Sequence, residues 1–188
     1  MVHVGGDTFA QKHMSLTKKT LCACSLIFVI PFLIFHCKKS STAPEVEPPE
    51  QPSMTIVCNP SSGGMDTNIT VSISINSAPL EIKVFGLEMT FDDDIFQFRR
   101  VEKGDLTESW AAVDGNEISK GTLRIGGFMG SGNPISQGNT GIIAEIKFKV
   151  AGSGFSDGQQ SQICIKNYTD DISSLTPVPS CTDFTLRK

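Results

Sequence analysis

The sequence predicts an all-β fold, a two-sheet β-sandwich of about nine strands occupying roughly the last 135 residues. Three observations carry that reading. Short segments alternate apolar and polar residues with a period of two; glycine-rich or polar turns separate them; and no segment carries a convincing helical stripe. The clearest segment is Gly141 to Val150, where Ile142, Ala144, Ile146, Phe148 and Val150 share one side and Glu145, Lys147 and Lys149 the other. That pattern belongs to a half-buried strand, because successive side chains point to opposite faces of a sheet.

Ahead of the sandwich, residues 1–36 read as a secretory signal. Lys18 and Lys19 precede a largely apolar run from Leu21 to Phe35. At about fifteen residues the run is short for a spanning helix, which needs roughly 20, and suits a signal h-region. Met14 lies just upstream and marks an alternative start that leaves a signal of ordinary length. Cys37 closes the run where a bacterial lipoprotein carries its lipid-modified cysteine, although His36 is larger than the small residue such sites place before it. Lipidation of Cys37 is the expectation, with a plain secretory signal or an uncleaved anchor as alternatives. Residues 37–53 are rich in Pro, Glu, Ser and Thr with little to bury, the composition of a disordered tether. Residues 54–188 then form one domain by length.

Within that domain the strands follow in order. Met54 to Asn59 ends at Pro60. Ile69, Val71, Ile73 and Ile75 alternate with Thr70, Ser72, Ser74 and Asn76. A third strand runs from about Ile82 to Phe91, with a bulge expected at Gly86. Asp92-Asp93-Asp94 ends it, and Ile95 to Glu102 resumes with Phe96 and Phe98 inward. Ser109 to Val113 and Ile118 to Phe128 flank an expected turn at Asp114-Gly115-Asn116. Gly141 to Val150 follows the loop Gly130 to Thr140, and the last strands are Gln162 to Lys166 and Thr182 to Arg187.

Composition narrows the chemistry. Removing Lys12, Lys18, Lys19 and Asp7 of the leader from the whole-chain totals of 16 basic and 20 acidic residues leaves about −6 from Cys37 onward. With no basic cluster, that balance excludes nucleic acid as a partner. All three histidines, His3, His13 and His36, precede the domain, so neither Ser-His-Asp nor Cys-His catalysis nor a histidine-ligated metal can be built within it. Cys22 and Cys24 belong to the leader, leaving Cys58, Cys164 and Cys181 beyond Cys37. Cys164 and Cys181 are the expected bridge, since it would pin the loop Asn167 to Ser180; the alternative is three small buried thiols.

Three ordered motifs carry a family resemblance. Leu87-Glu88-Met89-Thr90-Phe91-Asp92 is an apolar-x-apolar-x-aromatic-Asp run, Val101 to Leu106 is a Val-x-x-Gly-x-Leu turn, and Gly141 to Val150 contains Gly-x-x-Ala-x-Ile-x-Phe. In type, order and spacing they resemble the cohesin domain, the receptor module of cellulosomes, over essentially Met54 to Lys188. The resemblance implies a nine-stranded, jelly-roll-like sandwich with first and last strands adjacent. It also implies a non-catalytic role, in which one flat face built from the third, fifth, sixth and eighth strands receives a calcium-loaded dockerin helix pair. The outward positions on that face would be Glu88, Thr90, Arg124 and Lys166. The chain departs from the family where polar recognition residues precede the apolar run of the third strand, because Val84, Phe85 and Gly86 stand there. Partner specificity therefore does not carry over.

The remaining constellations are weaker. Asp92, Asp93 and Asp94 offer carboxylates but lack the Asp-x-Asp-x-Asp-Gly spacing of a calcium loop, so a strand-end turn is expected and no metal site is assigned. Carboxylate pairs for glycoside hydrolysis would need a cleft and stacking aromatics, and the domain has one Trp and one Tyr. Related carbohydrate-binding modules share the sandwich, and for that alternative Trp110 is the candidate sugar-stacking ring. Asn68-Ile69-Thr70 and Asn167-Tyr168-Thr169 are chance matches to glycosylation acceptors. The expectation is an exported surface lipoprotein without enzymatic activity or a cofactor of its own, anchored to a membrane through Cys37. Its cohesin-like module binds a dockerin-bearing protein or polysaccharide, with any calcium on the partner. A structural or adhesive surface domain is the third alternative.

Overall fold

The computed structural model describes residues 51–188. The expected signal, the lipidation site Cys37 and the tether up to residue 50 lie outside the described residues. Ten strands are present: β1 (Ser53–Asn59), β2 (Ser62–Gly63), β3 (Asn68–Asn76), β4 (Val84–Thr90), β5 (Phe96–Lys103), β6 (Ala112–Ser119), β7 (Thr122–Phe128), β8 (Gly141–Val150), β9 (Gln160–Asp170) and β10 (Ser180–Leu186). They form two sheets, β1-β3-β8-β5 and β2-β10-β9-β4-β7-β6. The strand beyond the expected nine is β2, two residues pairing parallel to β10. The two sheets make the expected jelly-roll-like sandwich.

Alternation dictates which side of each strand is core. From β3, Ile69, Val71, Ile73 and Ile75 point inward, joined by Ile146, Phe148 and Val150 of β8; Leu87, Met89, Leu123, Ile125, Ile163 and Phe184 meet them from the other sheet. Phe148 is the hub of an aromatic cluster, its ring centroid 5.1 Å from Phe91, 6.2 Å from Phe96 and 6.0 Å from Phe98. All three contacts are edge-to-face, the arrangement ring quadrupoles prefer.

Three local expectations are corrected. The Gly141–Val150 strand does not keep one phase throughout. A register shift where Ile73 pairs with Ala144 and Ser74 with Ile142 turns Ile143 into the core and leaves Ile142 half-buried. Gly86 is not a bulge: it pairs in register with Gly126 and Thr169, and β4 shifts against β9 only between Glu88 and Met89. Asp114-Gly115-Asn116 is not a turn either but the middle of β6. A Cβ on Gly115 would lie 2.9 Å from both Ile125 Cγ1 and Val101 Cγ2, so close packing between sheets requires glycine there. The hairpin instead turns at Lys120-Gly121, where Gly121 has φ +70°.

Two of the family motifs meet in space. After β5 the chain makes a 3-10 turn, Asp105–Thr107, packed on the start of β8. The Asp105 carboxylate accepts a hydrogen bond from the Ile142 amide at 2.6 Å. Buried Thr107 Oγ1 accepts from the Gly104 amide at 3.0 Å and donates to the Ile143 carbonyl at 2.8 Å. A Cβ on Gly104 would collide with the Ile142 carbonyl, so this contact admits only glycine. Thr107→Val keeps the shape but leaves the buried Gly104 amide and Ile143 carbonyl only their long 3.4 Å bond to each other, and is expected to cost about 1–3 kcal/mol in urea unfolding. A midpoint equal to that of the parent would show that these bonds contribute nothing net.

The outer face of the four-stranded sheet is a network of ion pairs. Lys147 Nζ lies 2.6 Å from Glu145 and 3.2 Å from Glu102, and Arg100 lies 2.6 Å from Glu102. Partial burial pushes the Lys147 ammonium down, but hydrogen bonds to both carboxylates outweigh it and leave its pKa above the ordinary value. Cys58 is buried, and desolvation raises its thiol to about 11, so it is inert at neutral pH.

Candidate docking face

The outward surface of β9-β4-β7-β6 is a grid of side chains fixed by register. Because both β4–β7 and β6–β7 pair without offset through this region, residues from neighbouring strands line up in rows across the sheet. One row runs Asn167, Glu88, Arg124, Asn116 and the next runs Thr169, Gly86, Gly126, Asp114. A third brings together Val84, Phe128 and Ala112.

The rows differ in height. Gly126 presents bare backbone between the taller polar row and the apolar row, and Gly86 beside it has only the Thr169 hydroxyl lying against it, leaving a groove of about 590 Å³ lined by Glu88, Arg124, Asp114 and Thr169 among others. Gly126 and its neighbour Gly127 lack side chains for different reasons. Gly127 faces inward, where a Cβ would lie 2.5 Å from the Phe85 ring; that ring, tilted against Trp110 with centroids 5.6 Å apart, occupies the space. At Gly126 an outward Cβ would meet only the Phe85 carbonyl at 3.5 Å, an ordinary contact. Packing thus demands one glycine and leaves the other optional.

Val84 and Phe128 form an exposed apolar edge beside this groove, with Phe128 54% exposed. The Asp171 carboxylate holds the entry to β4, accepting from the Lys83 amide at 2.8 Å and the Val84 amide at 3.1 Å. Glu88 and Arg124 face each other across β4 and β7 with 4.0 Å between charged atoms.

The structure thus brings Glu88 and Arg124 together. Thr90 lies one row further along β4, opposite Thr122 and beside Cys164. Lys166 is exposed but falls at the β4–β9 register shift, and it is Asn167 that stands opposite Glu88. Cys164 and Cys181 are directly paired residues of β9 and β10 and are joined by a disulfide at the margin of the face. Asp92 to Asp94 form the turn into β5: the Asp92 carboxylate accepts from the Asp94 amide at 3.1 Å, and Lys120 pairs with Asp93 at 2.8 Å and Asp94 at 3.3 Å.

Trp110 is corrected. It is 1% exposed, its indole N–H donates to the Asn133 carbonyl at 2.9 Å, and no ring face is open to a sugar. Among the described residues Phe128 is the exposed aromatic ring. Sequence reasoning missed Gly126, Asp114 and Phe128. The pair Gly126-Gly127 inside a strand was the available signal, since strand glycines mark close approach of another group; Asp114 was hidden by its assignment to a turn.

The match to known folds is broad. The sixth cohesin of Acetivibrio cellulolyticus scaffoldin B, solved with the Cel5 dockerin, superposes with TM-score 0.55 at 16% identity, covering 72% of this chain and 98% of that one. The third cohesin of ScaC from the same organism, solved with the ScaB dockerin, gives TM-score 0.58 at 17% identity over 72% and 99% of the two chains. The cohesin module of a Clostridium perfringens family 33 glycoside hydrolase gives 0.57 at 13% identity over 72% and 96%. At such identities the likeness is one of fold. No curated protein sequence matches the chain. The family model of the cohesin domain, however, matches residues 54–179, nearly the whole sandwich, and the chain belongs to the cohesin family.

Proposed function

We propose that the outward face of β9-β4-β7-β6 docks a dockerin-type protein partner. On this reading the chain is an exported, non-catalytic surface receptor, lipid-anchored at Cys37 and serving polysaccharide breakdown or surface assembly. The observation that carries the docking surface is the juxtaposition, on one flat face, of an exposed apolar edge, a backbone-floored groove and a cross-strand charge pair. An apolar centre with polar surroundings is the anatomy of a protein interface. Family membership supports the choice of partner, and two of the similar structures above hold a dockerin. A polysaccharide platform is less well supported, because the face displays a single ring where flat sugar-binding surfaces use several.

The test is calorimetric titration of the full chain with dockerin modules encoded in its own genome, with calcium and again with chelator. Binding is expected in calcium only, and Phe128→Asp, at an exposed position, should weaken it at least tenfold while leaving the melting temperature unchanged. Binding indifferent to both chelator and Phe128→Asp would overturn the reading. Labelling of Cys37 with a radioactive fatty acid in vivo checks the anchor, and an unlabelled protein would remove it.

A further inference from the structure

Within that docking reading, we infer that the Gly86–Gly126 groove is a receptor for one lysine or arginine side chain of the partner. The apolar stem of that side chain would lie on the glycine floor and its cationic head reach Asp114 or Asp170.

Three features combine. First, Gly126 is not required by packing, so its bare surface keeps the groove open rather than making room for the core. Second, the groove is acidic beyond its internal pairing. Glu88 is matched by Arg124, whereas among the described residues neither Asp114 nor Asp170 takes part in an ion pair. Asp114 accepts from the adjacent Gly115 amide at 2.7 Å and Asp170 from the Thr169 hydroxyl at 3.0 Å, which orients both carboxylates without neutralising them. Third, the two acids stand at opposite ends of the trough. Asp114 pairs with Gly126, and the Asp170 carboxylate oxygen lies 3.0 Å from where a Cβ of Gly86 would be.

The shape and the charge call for the same occupant. Neighbouring strands are about 4.8 Å apart, so β9 and β6, which carry the two acids, lie three spacings or about 14 Å apart, and one extended basic side chain on the floor between them reaches one acid or the other. Lysine and arginine bury their methylene stems while keeping the head among charged or hydrated groups. An acidic partner residue would face uncompensated like charge, and a purely apolar one would desolvate two carboxylates without pairing them. The adjacent Val84–Phe128 edge supplies apolar contact next to the cation, and that is where a well-packed neighbour would exclude water from the pair.

A phage-displayed library built on a dockerin helix pair, with its surface positions randomised, is selected against the full chain held in mild detergent. Selected clones are expected to share a lysine or arginine. Their affinity should fall at least a hundredfold for Gly126→Leu and about tenfold for the double variant Asp114→Asn/Asp170→Asn. The same double variant should also flatten the dependence of affinity on salt. Gly126→Ala, for which there is room, serves as the folding control and should melt with the parent. Clones that lose binding to Phe128→Asp but bind Gly126→Leu or the double variant unchanged would overturn the inference and leave the docking reading intact. Clones indifferent to all three variants would overturn both.

Discussion

Phe148→Ala is expected to cost about 3–5 kcal/mol of unfolding free energy, the range for deleting a large aromatic side chain from a packed core. The ring is 1% exposed and sits mid-strand in β8, whose neighbours β3 and β5 place Ile69 and Phe98 opposite it. Its contacts with Phe91, Phe96 and Phe98 tie β5 to β8 within one sheet and, through Phe91, to the chain leaving β4 in the other. Truncation removes the hub; Phe96 and Phe98 belong to β5, locked by its ladder to β8, and Phe91 is held by its amide donating to the Gly121 carbonyl at 2.9 Å, so collapse onto the space is limited. Urea unfolding should show a lower midpoint at an unchanged slope. A loss below about 1.5 kcal/mol would mean that the three remaining rings repack, contrary to the rigidity claimed for them. Because the proposed docking face points away from this cluster, partner affinity measured below the transition should be unaltered.

Removing the disulfide with the double variant Cys164→Ala/Cys181→Ala is expected to cost about 3 kcal/mol. The bridge closes a loop with a sequence separation of 17, and the stabilisation comes mainly from denying the unfolded chain that part of its freedom. The loop it closes contains a stretch of little regular structure, from Asp171 to Pro179, held by the Tyr168 hydroxyl donating to the Pro177 carbonyl at 3.1 Å, the Asp171 carboxylate on β4, the Met54 amide donating to the Thr176 carbonyl at 2.9 Å and the buried side chains of Ile172 and Leu175. Loss of the bridge is therefore also expected to loosen the rim of the proposed docking face beside Thr90. The check is a comparison of oxidised parent, reduced parent and the double variant by the same urea titration. Equal midpoints in all three would show that the β9–β10 ladder alone holds this margin.

Much of the architecture follows from period-two alternation, and the reason is physical. A strand buried on one face must alternate, so β3, and β8 from Ala144 onward, announce both their conformation and their inward side chains before any tertiary information exists. The Gly104 turn was legible for a different reason, since it is used as a close backbone contact that tolerates no Cβ. Errors arose where a residue type has two uses. Asp114-Gly115-Asn116 has the composition of a turn, yet Gly115 is present to let Val101 and Ile125 approach, a requirement set by the opposite sheet. Gly86 resembles a bulge, yet it continues the ladder, and on the outside the Thr169 hydroxyl lies where a Cβ would stand. Trp110 resembled a ligand platform until its neighbours, Phe85 and the Asn133 carbonyl, were known.

The candidate site was half visible. Glu88 and Arg124 could be named from alternation and family order, but their pairing is a matter of register between β4 and β7, which local sequence does not encode. Lys166 was displaced by a shift of one residue, enough to bring Asn167 into the row instead. The sandwich, most of its core-facing residues and the family are written in the chain, because they rest on local alternation and on glycines with single uses. Tertiary structure alone decided the groove. Its floor, its acidic ends and its apolar edge come from β4, the β6–β7 hairpin and β9, three segments separated in the chain, and their meeting is set by the ladders between them.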